Sequence, residues 1–169
     1  FGRNFNQKLE DSLSNLTSLQ QLTFIRYYDQ KLEDSLAGLT SLQQLTLGYS
    51  FNQELGNSLS DLTSLQRLSL GASFNKELEI PANIKWLSLD CNNIWLIDNL
   101  PNSIIELELG YNFNLELDNL PSSIKKIKFH NEFYNKELNN LPKSLEYLEL
   151  NKLYDKKIIS TYPNLKTLV

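Results

Sequence analysis

The sequence predicts a repeat solenoid built on one parallel β-sheet, because a single short unit recurs along the chain. The stretch from Leu42 to Leu55, LQQLTLGYSFNQEL, recurs as LQQLTFIRYYDQKL from Leu19 and as LQRLSLGASFNKEL from Leu65. A more divergent copy, IIELELGYNFNLEL, starts at Ile104. Every copy begins apolar-x-x-apolar-x-apolar, and this alternation is typical of a short strand with one buried face. One such unit cannot bury its apolar face alone, so neighbouring units stack into a continuous core.

The period changes once along the chain without losing register. Leucines hold one position at intervals of 23 residues in the first part, at Leu9, Leu32, Leu55 and Leu78. Prolines then recur at intervals of 20, 20, 21 and 21 residues, at Pro81, Pro101, Pro121, Pro142 and Pro163. We interpret residues 1–169 as a single array, with 23-residue repeats over 1–78 and 20–21-residue repeats over 79–169. The strand spacing continues across residues 78–82, which favours a change of repeat type over a domain boundary.

An aromatic residue followed by Asn or Asp marks the turn after most strands. The aromatic positions are Phe5, Tyr28, Phe51, Phe74, Phe113 and Tyr154, and the polar positions are Asn6, Asp29, Asn52, Asn75, Asn114 and Asp155. We expect the rings to fill the core and the polar side chains to bond unpaired backbone groups, so that stacked copies form a ladder. Structural repetition explains this row without a sugar or metal site. In the sixth unit Tyr134 and Asn135 come one residue late, which indicates a one-residue insertion near His130 to Phe133.

The segments that return between strands differ in the two parts of the chain. In the 23-residue units the leucine spacing predicts a single helical or 3₁₀ turn. In the later units the Leu-Pro pair disfavours helix, because the residue before proline avoids the helical region. We therefore expect extended or 3₁₀ segments there.

Units of the form LxxLxL at this period resemble leucine-rich repeats. The FNQ and LPxSI elements resemble the FNIP-type repeats of social amoebae and giant amoeba-infecting viruses, and the likeness covers essentially all 169 residues. The resemblance implies an α/β, right-handed, horseshoe-shaped solenoid. Its concave face would be a parallel sheet of seven or eight short strands, and its convex side would consist mostly of 3₁₀ and extended segments.

Composition disfavours some classes of partner and some cellular compartments for this protein. Twenty acidic and 16 basic residues give a net charge of −4, which disfavours a nucleic-acid groove because such grooves need a basic stripe. No apolar run approaches the ~18 residues of a membrane span. Cys91 is the only cysteine, so no disulfide framework is expected. The lack of a disulfide framework favours an intracellular setting. The resemblance to repeats of giant viruses implies that this setting is a host cytoplasm or a virion.

Both ends of the sequence fall inside a repeat, and neither resembles the polar cap that a free solenoid needs. We therefore expect a fragment of a longer array. Such a fragment should be poorly behaved in isolation and able to associate end to end.

The sequence does not predict an enzyme, a cofactor or a metal site. It contains one histidine, His130, and one cysteine, Cys91, in different repeats. The glycines Gly48, Gly71 and Gly110 each follow a strand and mark a turn, so none belongs to a phosphate-binding loop.

A protein partner is expected on the strand face that points away from the core. From the third strand onward this face changes from small and amide side chains to charged and aromatic ones, the composition of interface anchors. The candidate protein-binding residues are Arg67, Trp86, Ser88, Asp90, Trp95, Glu106, Glu108, Lys126, Lys128, His130, Tyr147 and Glu149. An alternative interpretation is that the charges form cross-strand ion pairs on a solvated face, with Glu106 beside Lys126 and Lys128 between Glu108 and Glu149.

The fourth repeat, Ile84 to Ile97, departs most from the pattern. It lacks the aromatic-Asn turn and holds both tryptophans, with Trp86 predicted on the concave side and Trp95 on the turn beyond the strand. An exposed tryptophan at an irregular repeat is typical of a binding hot spot. The other interpretation is that a junction between two repeat types needs irregular packing, which Trp95 supplies.

Three functions follow from this reading. The first is a non-enzymatic protein-interaction module that binds its partner on the concave face. The second is a structural repeat protein packed in a virion or larger assembly. The third is the substrate-recognition arm of a multidomain ubiquitin ligase.

Overall fold

The computed structural model describes residues 1–158 and 160–168, apart from the Glu33 side chain, and within them the chain forms one eight-stranded parallel sheet. Each strand pairs only with its neighbours in sequence, in the order β1 to β8. The strands are β1 Gln21–Thr23, β2 Gln44–Leu47, β3 Arg67–Leu70, β4 Trp86–Leu89, β5 Glu106–Leu109, β6 Lys126–Phe129, β7 Tyr147–Glu149 and β8 Thr167–Leu168. The predicted solenoid with seven or eight parallel strands is therefore confirmed.

The strands pair in the register that the repeats predict. Leu45 of β2 faces Leu68 of β3, which in turn faces Leu87 of β4. These leucines point into the core, where all three are fully buried. Strand pairing continues from β3 to β4, so the change of repeat length does not interrupt the sheet.

The same backbone turn leads into the strand in both repeat types. In the 23-residue units the Leu39 carbonyl accepts a bond of 2.9 Å from the Leu42 amide, and in the later units the Pro101 carbonyl accepts one of 3.2 Å from the Ile104 amide. Proline suits this position because the bond uses its carbonyl and needs no amide hydrogen.

Helix is scarce in the described part of the chain. A 3₁₀ helix spans Glu33–Leu36 and an α-helix, α1, spans Ile94–Asp98, while the other returns are turns and extended segments. The expectation for the return segments is thus confirmed, although the α/β label is broader than this nearly all-β structure. At Trp95 the structure has the helix α1 where the sequence predicted a turn.

The turn aromatics pack into the core as predicted, and successive rings stack on one another. Ring centroids of Phe5, Tyr28, Phe51 and Phe74 follow one another at 5.8, 6.3 and 6.2 Å. The stack stops at the fourth repeat, where Leu96 and Ile97 of α1 are buried. A second stack joins Phe113, Tyr134 and Tyr154 at 6.4 and 6.2 Å, which agrees with the insertion inferred before Tyr134.

The polar turn residues form the predicted ladder. The Asn6 Oδ1 atom accepts a bond of 2.9 Å from the Asp29 amide, and Asp29 Oδ1 accepts one of 2.8 Å from the Asn52 amide. Asn52 Oδ1 accepts the next one, of 3.0 Å, from the Asn75 amide. Each side chain therefore accepts a hydrogen bond from a backbone amide of the following repeat, and this amide lies outside the strand pairing.

Replacing Asp29 with alanine should destabilise the fold by about 1 kcal/mol, because the Asn52 amide loses its acceptor in a partly buried site. Asp29→Asn keeps the Oδ1 acceptor and should retain most of the stability. Urea denaturation followed by circular dichroism measures both variants. Equal losses for the two substitutions would show that the ladder bond is not what Asp29 contributes.

Candidate functional site

One face of the sheet is left open to solvent, and it is defined by the side chains that alternate with the core residues. We call it the open sheet face. Its residues are Gln21, Thr23, Gln44, Thr46, Arg67, Ser69, Trp86, Ser88, Glu106, Glu108, Lys126, Lys128, Tyr147, Glu149 and Thr167, all of them exposed or half-buried. β1 and β2 contribute only amide and hydroxyl side chains to this face, whereas β3 to β7 add charged and aromatic ones.

The first cluster on this face is centred on Trp86. The Arg67 guanidinium carbon lies 4.2 Å from the centroid of the Trp86 ring, a cation–π contact. On the other side the indole Nε1 donates to Glu108 Oε1 at 3.2 Å. Glu108 Oε2 lies 3.5 Å from His130 Nε2. The indole is therefore held on the surface between fixed neighbours and stays partly exposed.

The second cluster is centred on Tyr147. Lys126 Nζ lies 3.6 Å from Glu106 Oε2 and 5.2 Å from the Tyr147 ring centroid. The Tyr147 hydroxyl donates to Glu149 Oε2 at 2.7 Å, and Lys128 Nζ lies 3.4 Å from the same oxygen. Cross-strand pairing thus links β5, β6 and β7 on the open sheet face.

These contacts favour the ionised forms of Glu149 and Lys128 and the neutral form of Tyr147, because the hydrogen bond to Glu149 raises the pKa of the Tyr147 hydroxyl. The hydrogen bond from the Tyr147 hydroxyl, helped by Lys128, holds the pKa of Glu149 below its ordinary value. Partial desolvation acts to lower the pKa of Lys128, but the Glu149 carboxylate outweighs it and raises that pKa. Glu106 pairs with Lys126 and Glu149 with Lys128 as predicted, whereas Glu108 approaches His130 instead of Lys128. Exposed pairs of this kind contribute only ~0–1 kcal/mol each to stability.

Asp90 and Ser88 lie in the same repeat as Trp86 but make different contacts. Both oxygens of Asp90 bond to Asn112, with Oδ1 accepting from the backbone amide at 2.9 Å and Oδ2 from the side-chain amide at 3.0 Å. Asp90 therefore holds the next turn in place. Ser88 is half-buried in β4 and pairs in register with Glu108.

The two tryptophans lie on different surfaces. Trp95 belongs to α1, beyond the end of β4, and packs partly buried against the core. Asn93 caps α1 by accepting a bond of 3.3 Å from the Leu96 amide. The structure therefore brings Trp86 together with the strand candidates and separates Trp95 from them.

The residues with potential reactivity are not assembled into a site. Cys91 is buried, and this burial raises the pKa of its thiol to about 11. Within residues 1–158 and 160–168, no group of three His, Cys, Asp or Glu side chains is placed to hold a metal ion. None of the helices in these ranges has the length and apolar run that crossing a membrane requires.

Sequence reasoning missed a set of exposed apolar side chains on the loops that follow the strands. They are Ile25, Tyr27, Tyr49, Tyr111, Phe133 and Leu153, each more than two-fifths exposed. The signal in the sequence was a second apolar residue one to three positions before the turn aromatic, as in the pair Phe133-Tyr134.

The stacked parallel strands, the leucine core and the turn ladder define a leucine-rich repeat fold. Residues 92–132 match the family described as FNIP Repeat. Among solved structures the chain is similar to CroV588, a circular leucine-rich repeat protein from a giant virus, with 33% identity over 88% of this chain and a TM-score of 0.68. The likeness to FNIP-type repeats of giant viruses, inferred from the sequence, is thereby confirmed.

A second solved structure supports the fold alone. It is an internalin from Listeria monocytogenes, 19% identical over 94% of this chain, with a TM-score of 0.53. No curated protein matches the sequence. The chain spans 22% of CroV588 and 56% of the internalin.

Proposed function

We propose that the chain is a protein-interaction module whose partner binds the open sheet face between β3 and β7. Trp86 is the observation behind this proposal. Its large aromatic side chain lies on the solvent side of β4, where it is not needed to fill the core. Arg67 and Glu108 hold the indole in one orientation, so little side-chain freedom is lost when a partner packs against it. Tryptophan, tyrosine and arginine are the side chains most often found at binding hot spots.

The composition of the face supports a partner with mixed charge. Glu106, Lys126, Lys128 and Glu149 alternate in sign between neighbouring strands and are paired with each other. A partner of a single charge sign would leave half of these groups unmatched, which opposes binding. The arrangement therefore suits a protein surface with both signs better than nucleic acid.

The chain acts as a scaffold and not as an enzyme in this proposal. Leucine-rich and FNIP repeat families are typically non-enzymatic interaction scaffolds. The buried Cys91 and the pairing of His130 with Glu108 support the same conclusion. The intracellular setting and the ubiquitin ligase alternative stay predictions.

Trp86→Ala should weaken binding of the natural partner by about 2 kcal/mol or more, roughly 30-fold in Kd. The partner is first captured by cross-linking to the wild-type chain, and its affinity is then measured with purified protein by calorimetry. The substitution removes a side chain outside the core, so the fold should be retained.

Tyr49→Ser supplies the matched control, since it removes an exposed aromatic side chain on a loop outside the open sheet face. It should leave the affinity within about twofold of the wild type. An unchanged Kd for Trp86→Ala, or equal losses for both variants, would argue against the open sheet face as the binding surface.

A second candidate function is a structural one, as part of a longer stacked array. The observation that favours it is the similarity to CroV588, whose described structure is circular and of which this chain spans only 22%. Light scattering of the purified chain separates the two candidates. If the chain stacks through its repeat ends, the particles should be heavier than the 19.6 kDa chain even when no partner protein is present. Trp86→Ala should not change such stacking.

A further inference from the structure

Four side chains from four successive repeats touch one another in sequence across the open sheet face. The Arg67 guanidinium lies over the Trp86 ring, and the Trp86 indole Nε1 donates to Glu108 Oε1 at 3.2 Å. The second oxygen of Glu108 lies 3.5 Å from His130 Nε2. We call these four residues the tryptophan clamp. We propose that protonation of His130 tightens the tryptophan clamp and so fixes Trp86 in the orientation that a partner binds.

Glu108 is the link between the indole and the imidazole. Its two carboxylate oxygens contact different neighbours, because Oε1 accepts from the indole while Oε2 faces His130. The two contacts coexist in the structure, so a stronger attraction to His130 does not require Glu108 to release Trp86. A carboxylate held from both sides keeps its position, and with it the direction of the indole N–H.

The contact between His130 and Glu108 depends on the charge of the imidazole. At 3.5 Å it is longer than the about 2.7–3.2 Å of an ordinary N–H···O hydrogen bond, so a neutral ring holds the carboxylate only weakly. A positive charge on the ring makes the same contact an ion pair, and this attraction falls only with the inverse of the distance. Histidine is the side chain that ordinarily changes charge between pH 5 and 8. The contact should therefore strengthen as the pH falls through this range.

Three carboxylates lie on the strands and loops around His130, and two of them have other partners. The three are Glu108 of β5, Glu149 of β7 and Asp90 after β4. Glu149 Oε2 lies 3.4 Å from Lys128 Nζ, and Glu149 attracts this lysine more strongly than Glu108 does. Both oxygens of Asp90 accept from Asn112. His130 is thus the neighbour whose charge decides how firmly Glu108 is held.

The imidazole is open to solvent in the folded chain. Its side chain is 39% exposed, and the Tyr111 ring flanks it with 6.0 Å between centroids and a tilt of 41°. Tyr111 is itself exposed, so it does not close the imidazole off from water. His130 can therefore take up and release a proton without any rearrangement of the repeats.

Trp86 responds to Glu108 because the core does not fix its ring. The indole is half-buried and held by side chains on the open sheet face. Arg67 covers the ring, whereas the bond to Glu108 sets the direction of the N–H. An indole that is already fixed loses less freedom when a partner packs against it. Binding to Trp86 should therefore be tighter at pH 5.5 than at pH 8.

This inference rests on the proposed function, since it names how binding at the open sheet face is regulated, but its experiment uses the purified chain without a partner. Nitrogen-15 NMR relaxation measures the order parameter S² of each indole N–H at pH 5.5 and at pH 8. Trp95 lies on α1, outside the tryptophan clamp, and is the internal reference in the same sample. Trp95→Phe assigns the two signals.

The order parameter of the Trp86 indole should rise toward the ~0.85 of rigid groups at pH 5.5 and be lower at pH 8, while that of Trp95 should stay constant. His130→Gln should hold Trp86 at its pH 8 value throughout, because glutamine does not titrate. Glu108→Gln keeps an oxygen for the indole but loses the charge, so it should also abolish the response. Glu106→Gln is the matched control, since it removes a carboxylate of the same strand and face outside the clamp, and it should keep the response.

Equal order parameters of Trp86 at the two pH values would overturn the proposal. So would a response that survives in His130→Gln, because another group would then be responsible. A parallel change at Trp95 would also overturn it, since the whole repeat would then loosen with pH.

The captured partner supplies the second measurement. The wild-type chain should bind it about two- to fivefold more tightly at pH 5.5 than at pH 8, the range that one exposed ion pair allows, and His130→Gln should reduce this ratio. Comparison with the variant cancels any titration of the partner itself. If Trp86 responds to pH but Trp86→Ala leaves the affinity unchanged, the tryptophan clamp stands and the proposed function is lost. If Trp86→Ala weakens binding while the order parameter is independent of pH, the proposed function stands and this inference is lost.

Discussion

Replacing Gly71 with alanine should destabilise the protein by about 3 kcal/mol, because a Cβ atom at this position has no space. It would lie 2.2 Å from the Gly48 carbonyl oxygen and 2.8 Å from the Tyr49 amide nitrogen. Both neighbours are backbone atoms of the preceding repeat, so no side chain can rotate to make room. The repeat backbones must separate, and the hydrogen bond from the Gly71 amide to the Leu47 carbonyl at 2.9 Å is strained with them.

Alanine substitutions at two other glycines serve as references for Gly71→Ala. A Cβ at Gly110 would lie 2.3 Å from Asp90 Oδ1, which is a side-chain atom, so Gly110→Ala should cost less than Gly71→Ala. A Cβ at Gly2 meets nothing within 4 Å, and Gly2→Ala should change stability by less than about 0.5 kcal/mol. Urea denaturation of the three variants gives the order. A Gly71→Ala variant as stable as Gly2→Ala would contradict the close approach of neighbouring repeats.

Removing the ring of Phe51 should have a similarly large effect, with Phe51→Ala costing about 4 kcal/mol. The ring is fully buried and lies between Tyr28 and Phe74, at 6.3 and 6.2 Å between centroids. Its loss leaves a cavity in the middle of the first aromatic stack and removes contacts with both neighbours. Circular dichroism and tryptophan fluorescence during urea denaturation measure the loss. Both tryptophans lie in the fourth repeat, so separate transitions would show the first repeats unfolding alone.

Tyr28→Phe is the informative companion to Phe51→Ala. The Tyr28 hydroxyl is buried without a hydrogen-bond partner, and burial raises the pKa of Tyr28 to about 12. Removing an unsatisfied hydroxyl while keeping the ring should stabilise the fold by about 1 kcal/mol. Phe51→Ala and Tyr28→Phe should therefore change stability in opposite directions. A loss for both would mean that the Tyr28 hydroxyl is bonded in the folded protein.

The sequence by itself determined the architecture, since the pattern that it repeats is local. Alternation of apolar residues predicts a strand, and recurrence of the pattern at a fixed period predicts stacked neighbours in register. The pairing of Leu45 with Leu68 and the ladder bond from the Asn52 amide to Asp29 follow directly from this repetition. The extra residue before Tyr134 was also readable, because one displaced aromatic residue stands out against a regular period.

The tertiary structure decided which side chains of the candidate site meet. Alternation placed Trp86 and Glu108 on one face, but only the packed sheet showed the indole bonded to Glu108 and covered by Arg67. The assignment of Asp90 to the support of a turn depends on how the fifth repeat seats against the fourth. A side chain's rotamer is set by contacts across repeats, and a repeat pattern contains no information about them.

The loop of the sixth repeat shows the same limit most clearly. Phe133 and Tyr134 are adjacent aromatic residues, and composition does not distinguish the one that is buried from the one that is exposed. The bonds of Asn131 to the Phe113 carbonyl and the Phe133 amide make that choice by fixing the loop. Periodicity determined the core of this protein, whereas the irregular loops between its strands, fixed by cross-repeat hydrogen bonds, determined which apolar side chains face solvent.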